Sequence, residues 1–138
     1  MSRPFPRPLP TLLTLVLPVL WPWTILGTAR AAQPDPQHGA VLFQARCAIC
    51  HLPDKVKVGP PLGGVFGRKA GSVPGYAYSP ALRNSKLTWT RPNLERWLAN
   101  PGETVPGNKM GISVPDPASR ADIIAYLATL KAPPAPGN

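Results

Sequence analysis

The chain contains two cysteines, Cys47 and Cys50, and His51 directly follows the second. Thiol and imidazole groups this close together could form a disulfide, a redox pair, a zinc site or a covalent attachment point for a prosthetic group. A disulfide between residues so near in sequence would remove little chain entropy and would stabilise a small domain poorly. A thioredoxin-like redox pair normally lies beside a βαβ unit, and no strand-like alternation occurs nearby.

Zinc and haem remain as the alternatives for this cluster. Structural zinc needs about four ligands, and besides the two cysteines the chain offers only His38 and His51, spaced unlike a zinc finger. The pattern Cys-x-x-Cys-His is the attachment signature of c-type haem. Each thiol can add to one vinyl group of a porphyrin, and the adjacent imidazole then lies within reach of the iron. We therefore predict one covalently bound haem c, attached through Cys47 and Cys50 and ligated by His51.

A second axial ligand is expected for such an iron, and Met110 is the only methionine beyond the N-terminal residue. A proline and two glycines occupy the surrounding stretch 106–111, which indicates a loop bent closely around a flat partner. His38 competes for the same role, but it falls at the start of the first predicted helix. At high pH, the neighbouring Lys109 could replace Met110.

Short helices joined by long loops must position these groups. Capping residues, prolines and apolar spacing predict four helices. They are Gln37 to Arg46, a turn from the cap Ser79 to Asn84, a helix from the cap Thr90 to Asn100, and a last helix from Asp116 to Ala132. The stretch 52–78 is rich in Gly and Pro and predicts a loop. No strand is predicted, so the fold class is all-α, with short helices and loops wrapped around one haem.

Five motifs in order resemble the class I cytochromes c, the small monohaem proteins of mitochondria and bacteria. They are GAVLFQARCAICH, VGPPLGGVFGRKAGSVPGYAY, LTWT, NPGETVPGNKM and ADIIAYLATLK. The similarity covers about residues 39–130, which is nearly all of the chain beyond its N-terminal segment. The resemblance implies the cytochrome c fold and an electron-transfer protein, not an enzyme.

The resemblance also implies roles for further residues around the haem. The backbone carbonyl of Pro60 would accept the Nδ1 proton of His51. Four side chains match positions that bond or neutralise the haem propionates: Arg68, Tyr78, Trp89 and Asn108. Without the resemblance, the same residues could equally be a core residue (Trp89), a solvated surface charge (Arg68) and a turn residue (Asn108). Phe43 and Tyr126 match the packed contact between the first and last helices.

Three positions beside the haem depart from the family pattern. Trp97 stands where the family often has a tyrosine whose hydroxyl reaches the axial sulfur. Leu82 stands where an asparagine helps to hold a buried water, and Ile112 replaces a phenylalanine. The first two changes remove a hydroxyl and an amide, so we expect the bond to sulfur to be lost and the pocket to be drier. These two effects shift the potential in opposite directions, and the sequence does not fix the net sign.

The N-terminal segment predicts export. Arg3 and Arg7 precede an uncharged apolar run from Leu9 to Leu26, and Ala29-Arg30-Ala31 offers small residues for cleavage. The run could instead anchor the protein in a membrane, although prolines interrupt it. The predicted organisation is a signal peptide at 1–31 and a cytochrome c domain at 32–138, with a core at about 37–131 and a Pro-rich tail at 132–138. The predicted location is the periplasm.

Iron ligated by both His51 and Met110 would have no open position for a substrate, so we expect single-electron transfer at a high potential. The predicted role is a soluble carrier in a periplasmic respiratory or dehydrogenase-linked chain. The alternative is a haem subunit of an oxidoreductase complex, or a haem site that opens at Met110 for peroxide chemistry or sensing.

Charge indicates the kind of partner. Loss of the segment 1–31 would lower the formal net charge from +9 to +6, because that segment contains three arginines and no acid. No nucleic-acid-binding motif accompanies this charge. We expect a monomer that binds acidic redox proteins or membrane respiratory complexes transiently. Arg46, Lys57 and Lys109 match the family's ring of lysines, whereas Gly102 and Glu103 interrupt it, so docking should be less sensitive to salt than that of a lysine-rich cytochrome.

Overall fold

The computed structural model describes residues 33–133, which form five helices in chain order. They are α1 (Pro36–Arg46), α2 (Pro80–Asn84), α3 (Arg91–Ala99), α4 (Pro101–Thr104) and α5 (Pro117–Thr129). The only β pairing within the described residues is an isolated bridge between Lys69 and Thr88. None of the helices described is long and apolar enough to cross a membrane. The predicted signal peptide and the end of the Pro-rich tail lie outside the described residues.

Every helix begins in the same way, with a polar side chain that caps it and a proline at the first or second helical position. The caps are Asp35, Ser79, Thr90, Asn100 and Asp116. A side-chain oxygen satisfies backbone N–H groups that the helix leaves unpaired, and proline costs nothing there because its missing N–H is not needed. This local chemistry explains how a chain with 21 prolines still forms helices.

The core lies where α1 and α5 cross. Phe43 and Ile123 are completely buried, and the ring of Phe43 packs on that of Tyr126 with centroids 5.2 Å apart. The predicted contact between the first and last helices is therefore confirmed. Gly39 permits the crossing, because a Cβ atom there would lie 2.0 Å from the carbonyl oxygen of Asp122.

Asn100 ends α3 as predicted. Its side chain also accepts from the backbone N–H of Glu103, so Asn100 and Pro101 begin a short helix, α4, that the sequence did not predict. One predicted helix boundary was wrong. The last helix ends at Thr129, not at Ala132, because the chain becomes extended at Leu130, whose carbonyl accepts from Gly64 N at 2.8 Å. The bond ties the end of α5 to the long loop.

Candidate functional site

A cavity of about 310 Å³ opens among α1, α2, α3, α5 and the long loops. Its walls are mostly apolar and include Leu62, Val65, Leu82, Leu94, Leu98 and Ile123. Nine predicted site residues line it: Cys47, Cys50, His51, Pro60, Arg68, Tyr78, Trp89, Trp97 and Met110. Asn108 and His38 are not part of the lining.

The two cysteines lie in a tight turn that continues directly from α1. The backbone N–H groups of Cys50 and His51 both donate to the carbonyl of Cys47, at 3.0 and 2.8 Å. Neither cysteine forms a disulfide, and both are half-buried. Burial raises the pKa of the Cys47 thiol, while the charge of Arg46 acts in the opposite direction. The turn thus brings two separate thiols and an imidazole to one cavity.

The imidazole of His51 is fixed by the backbone. Its Nδ1 lies 2.9 Å from the carbonyl oxygen of Pro60, which can only accept, so Nδ1 carries the proton and Nε2 keeps a lone pair. Burial lowers the pKa of His51, and the bond to Pro60 opposes that change. Gly59 lies directly against the ring, where a Cβ atom would come within 2.2 Å of Cε1. Sequence reasoning missed this role of Gly59.

Met110 lies in a loop that Asn108 organises. Asn108 Nδ2 donates to the carbonyls of Pro101 and Val105 at 2.7 and 2.9 Å, and its Oδ1 accepts from the backbone N–H of Met110 at 2.7 Å. Both amide hydrogens of Asn108 are engaged in holding this loop. The turn also needs Gly107, whose φ of +84° disfavours other residues. Asn108 therefore sets the position of Met110.

Trp97 provides the hydrogen bond to the Met110 sulfur that the sequence was expected to lack. Its indole Nε1 lies 3.2 Å from the sulfur of Met110 and donates a hydrogen bond to it, so the hydroxyl of the family's tyrosine is replaced and not lost. The ring packs on that of Trp89, with centroids 5.1 Å apart. Leu82 lines the same cavity and leaves an apolar wall, as the sequence indicated.

Three side chains with polar groups, Arg68, Tyr78 and Trp89, line the cavity as predicted. Arg68 donates to the carbonyls of Gly63 and Pro61, both at 2.8 Å, and so braces the long loop. Burial lowers the pKa of Arg68 and raises that of Tyr78. Trp89 lines the same cavity and is 8% exposed.

His38, the competing axial ligand, belongs to a different contact. Its Nδ1 lies 2.7 Å from Asp122 Oδ2, which joins the start of α1 to α5. The imidazole is mostly exposed and does not line the cavity. The geometry therefore favours Met110 over His38 as the partner of His51 across the cavity.

Arg120 is a second residue that sequence reasoning missed. It forms an ion pair with Glu95 of α3 and donates to the carbonyls of Val114 and Pro115, which follow Met110 along the chain. A cation near the start of a helix interacts unfavourably with the helix dipole. A basic residue at this position in the sequence therefore indicates that it has a specific partner. Arg120 ties the methionine loop to both α3 and α5.

The donor set fits one covalent haem. Two free thiols, an imidazole with a defined tautomer and a thioether meet at one apolar cavity, and imidazole and thioether are axial ligands of haem iron in electron-transfer proteins. The thiols are the groups through which c-type haem is attached.

Comparison with known proteins gives matches over the same part of the chain. The family model described as cytochrome c matches residues 36–131. Cytochrome c2 of Rhodopila globiformis is 49% identical over 100 residues, which are 70% of this chain and 94% of that protein. Cytochrome c of Euglena viridis is 44% identical over 70% of this chain and 98% of its own length. The solved structure of cytochrome cH from Methylobacterium extorquens aligns with a TM-score of 0.66 and 47% identity, over 69% of this chain and 98% of that one.

Proposed function

Since the chain belongs to the cytochrome c family and carries one covalently attached haem c, we propose that it is a one-electron carrier in a periplasmic respiratory or dehydrogenase-linked chain. It is a class I protein of that family and transfers electrons instead of catalysing a reaction. The haem, when bound, supplies an iron that changes valence by one electron. The single observation that carries the proposal is the presence of His51 and Met110 in the lining of one apolar cavity.

Cys47 and Cys50 are the proposed attachment residues. Their thiols become thioethers on attachment, and the turn after α1 holds them next to His51. His51 would hold the iron through Nε2, because Nδ1 is committed to the carbonyl of Pro60. A hydrogen bond at Nδ1 raises the basicity of the imidazole and prevents the ring from turning. The attachment and the proximal ligand thus depend on one short segment.

Met110 is the proposed second ligand, and its environment suits a carrier. A soft thioether in an apolar, largely buried site favours the less charged reduced iron, so we expect a high potential. If His51 and Met110 both bind the iron, no position would remain for oxygen, peroxide or substrate. The propionates of the haem would face three lining residues, Arg68, Tyr78 and Trp89. Their negative charge needs compensation when it is removed from water.

Partners are proposed to be acidic redox proteins or membrane respiratory complexes. Lys109 and Ile112 line the cavity and are also exposed, so they mark its mouth. Lys57 is exposed as well, and its Nζ donates to the carbonyl of Ala48, next to Cys47, at 3.0 Å. Exposed cations around an apolar contact favour brief encounters with an acidic surface. The proposed periplasmic location rests on the segment 1–31, and N-terminal sequencing of the exported protein tests cleavage after Ala31.

Redox titration and ligand binding together test the carrier role. The protein, matured with covalent haem, should take up one electron reversibly, and the reduced form should not bind carbon monoxide at neutral pH. Met110→Ala provides the positive control, because it opens the iron and should bind carbon monoxide readily. Carbon monoxide binding by the wild type would contradict the carrier role and favour a site that opens for catalysis or sensing.

A further inference from the structure

The segment that follows α5 lies against the loop that fixes His51. We propose that residues 130–133, here called the terminal strap, are a positioning element that holds the carbonyl of Pro60 on His51 and so sets the strength of the proximal ligand. The inference deepens the proposed function and depends on His51 being an axial ligand. It assigns a role to a part of the chain that is remote in sequence from the attachment site.

Two stretches of chain, 50–53 and 59–63, are joined by four hydrogen bonds in a row. Three of these are backbone bonds and the fourth comes from the side chain of His51. They join Gly59 to Cys50, His51 to Pro60, Leu62 to Leu52 and Gly63 to Pro53, at 2.8, 2.9, 3.0 and 2.7 Å. Because the bond at His51 is one of this row, a shift of one stretch along the other must lengthen it.

The terminal strap covers the end of the second stretch. The backbone N–H of Gly64 donates to the carbonyl of Leu130 at 2.8 Å. Two glycines permit this close approach. A Cβ atom at Gly64 would lie 2.8 Å from the Cβ of Ala132, and one at Gly63 would lie 2.4 Å from the carbonyl oxygen of Lys131. The strap and the loop therefore touch at two consecutive residues.

The terminal strap is itself held in place. It continues from α5, where Ile123 is completely buried, and Leu130 packs against the same core. From within the loop, Arg68 donates two hydrogen bonds to backbone carbonyls of the stretch 59–64, both at 2.8 Å. The stretch thus lies between two supports, so the carbonyl of Pro60 has little freedom to move.

This arrangement has a consequence for the potential that differs in sign from that of general loosening. A hydrogen bond at Nδ1 makes the His51 imidazole a stronger ligand, which favours the oxidised iron. Release of the terminal strap should weaken that bond and raise the potential. Entry of water has the opposite effect, because it stabilises the more highly charged oxidised iron and lowers the potential.

Gly64→Ala tests the proposal, because its methyl group would meet Ala132. We expect the Nδ1 proton of His51 to exchange about tenfold faster in NMR of the reduced holoprotein, since the bond that protects it opens more often. The reduction equilibrium should shift about twofold toward the reduced form, or about 18 mV for one electron. The double variant Gly64→Ala/Ala132→Gly removes the methyl group that is met and should recover most of both changes.

Gly75→Ala is the matched control for backbone strain. Gly75 has a φ of +75° and Gly64 one of +64°, so alanine is strained to a similar degree at both positions. Within the part of the chain that the structure describes, no other residue lies within 4 Å of a Cβ atom at Gly75. Gly75→Ala should therefore keep the potential and the exchange rate of the wild type.

A potential that falls in Gly64→Ala, or a double variant that behaves like the single one, would overturn the inference. Exchange in the wild type gives an answer that needs no variant. The Gly64 amide should be protected together with the Nδ1 proton of His51. A Gly64 amide that exchanges as fast as an exposed amide, while the His51 proton stays protected, contradicts the role of the strap. Failure of the proposed function is distinguishable, because the oxidised wild type itself would then lack the low-spin spectrum of a doubly ligated haem.

Discussion

Gly39 and Asp122 meet where α1 crosses α5, so closely that a Cβ atom at residue 39 would lie 2.0 Å from the Asp122 carbonyl oxygen. Gly39→Ala must therefore separate the two helices. We expect the free energy of unfolding to fall by about 1–3 kcal/mol, as for other overpacked core sites. Chemical denaturation of the holoprotein measures the change. Gly102→Ala, at an exposed position with room for a methyl group, is the matched control, and equal stability of the two variants would contradict the prediction.

Asp122 makes the junction of α1 and α5 sensitive to acid. Hydrogen bonds from His38 and from the backbone N–H of Asp35 hold the pKa of Asp122 below its ordinary value. A lowered carboxyl pKa contributes stability above the unfolded-state pKa of about 4, and this contribution disappears as pH falls through the folded-state pKa. Asp122→Ala should thus cost about 1–2 kcal/mol at neutral pH and progressively less below about pH 4.

Stability measured against pH tests this expectation. The exposed Asp54 provides the control, since Asp54→Ala should leave the profile parallel to that of the wild type. If the free energies of unfolding of wild type and Asp122→Ala differ by a constant amount from neutral to strongly acidic pH, the Asp122 carboxylate does not make stability depend on pH.

Asn108 should contribute more to holding Met110 in position than to the overall stability of the fold. Asn108→Ala removes the acceptor for Met110 N and frees two carbonyls, so the loop loses its fixed shape. We expect imidazole to displace Met110 from the oxidised protein at about tenfold lower concentration, equivalent to about 1.4 kcal/mol. Asn84→Ala, at the exposed end of α2, should behave as wild type. An unchanged imidazole affinity in Asn108→Ala would show that the loop holds its shape without this side chain.

Ionic strength should influence electron transfer only modestly. The ring of lysines that the family resemblance implies is interrupted by Gly102 and Glu103, which are exposed in α4. Attraction between opposite charges speeds the association of two proteins, and salt screens this attraction. With few cations available, the rate of electron transfer to an acidic partner should fall gently between low and physiological salt. Glu103→Lys should steepen the fall in stopped-flow measurements. A steep fall already in the wild type would mean that other cations dominate docking.

Local chemistry made much of the fold predictable from sequence. Ser79, Thr90 and Asp116 each precede a proline within two positions, and all three cap helices that begin where the sequence indicated. The end of α5 was not predictable, because it depends on the tertiary bond between Leu130 and Gly64. Residue types near a helix end do not reveal such a partner.

The candidate site was predictable as a set of residues and less so as a set of contacts. Spacing alone brought together Cys47, Cys50 and His51. The direction of the Trp97 indole and the engagement of the Asn108 amide depend on how α3 and the methionine loop pack, which no local pattern encodes. Both contacts involve polar atoms whose partners come from distant elements.

The absorption spectrum of the oxidised holoprotein tests the central claim most directly. The weak sulfur-to-iron charge-transfer band should be present in the wild type, persist in His38→Ala and vanish in Met110→Ala, while the haem stays covalently bound in all three. A band that survives in Met110→Ala, or one that is absent from the wild type, would contradict ligation by Met110 and with it the saturated iron on which the carrier role depends.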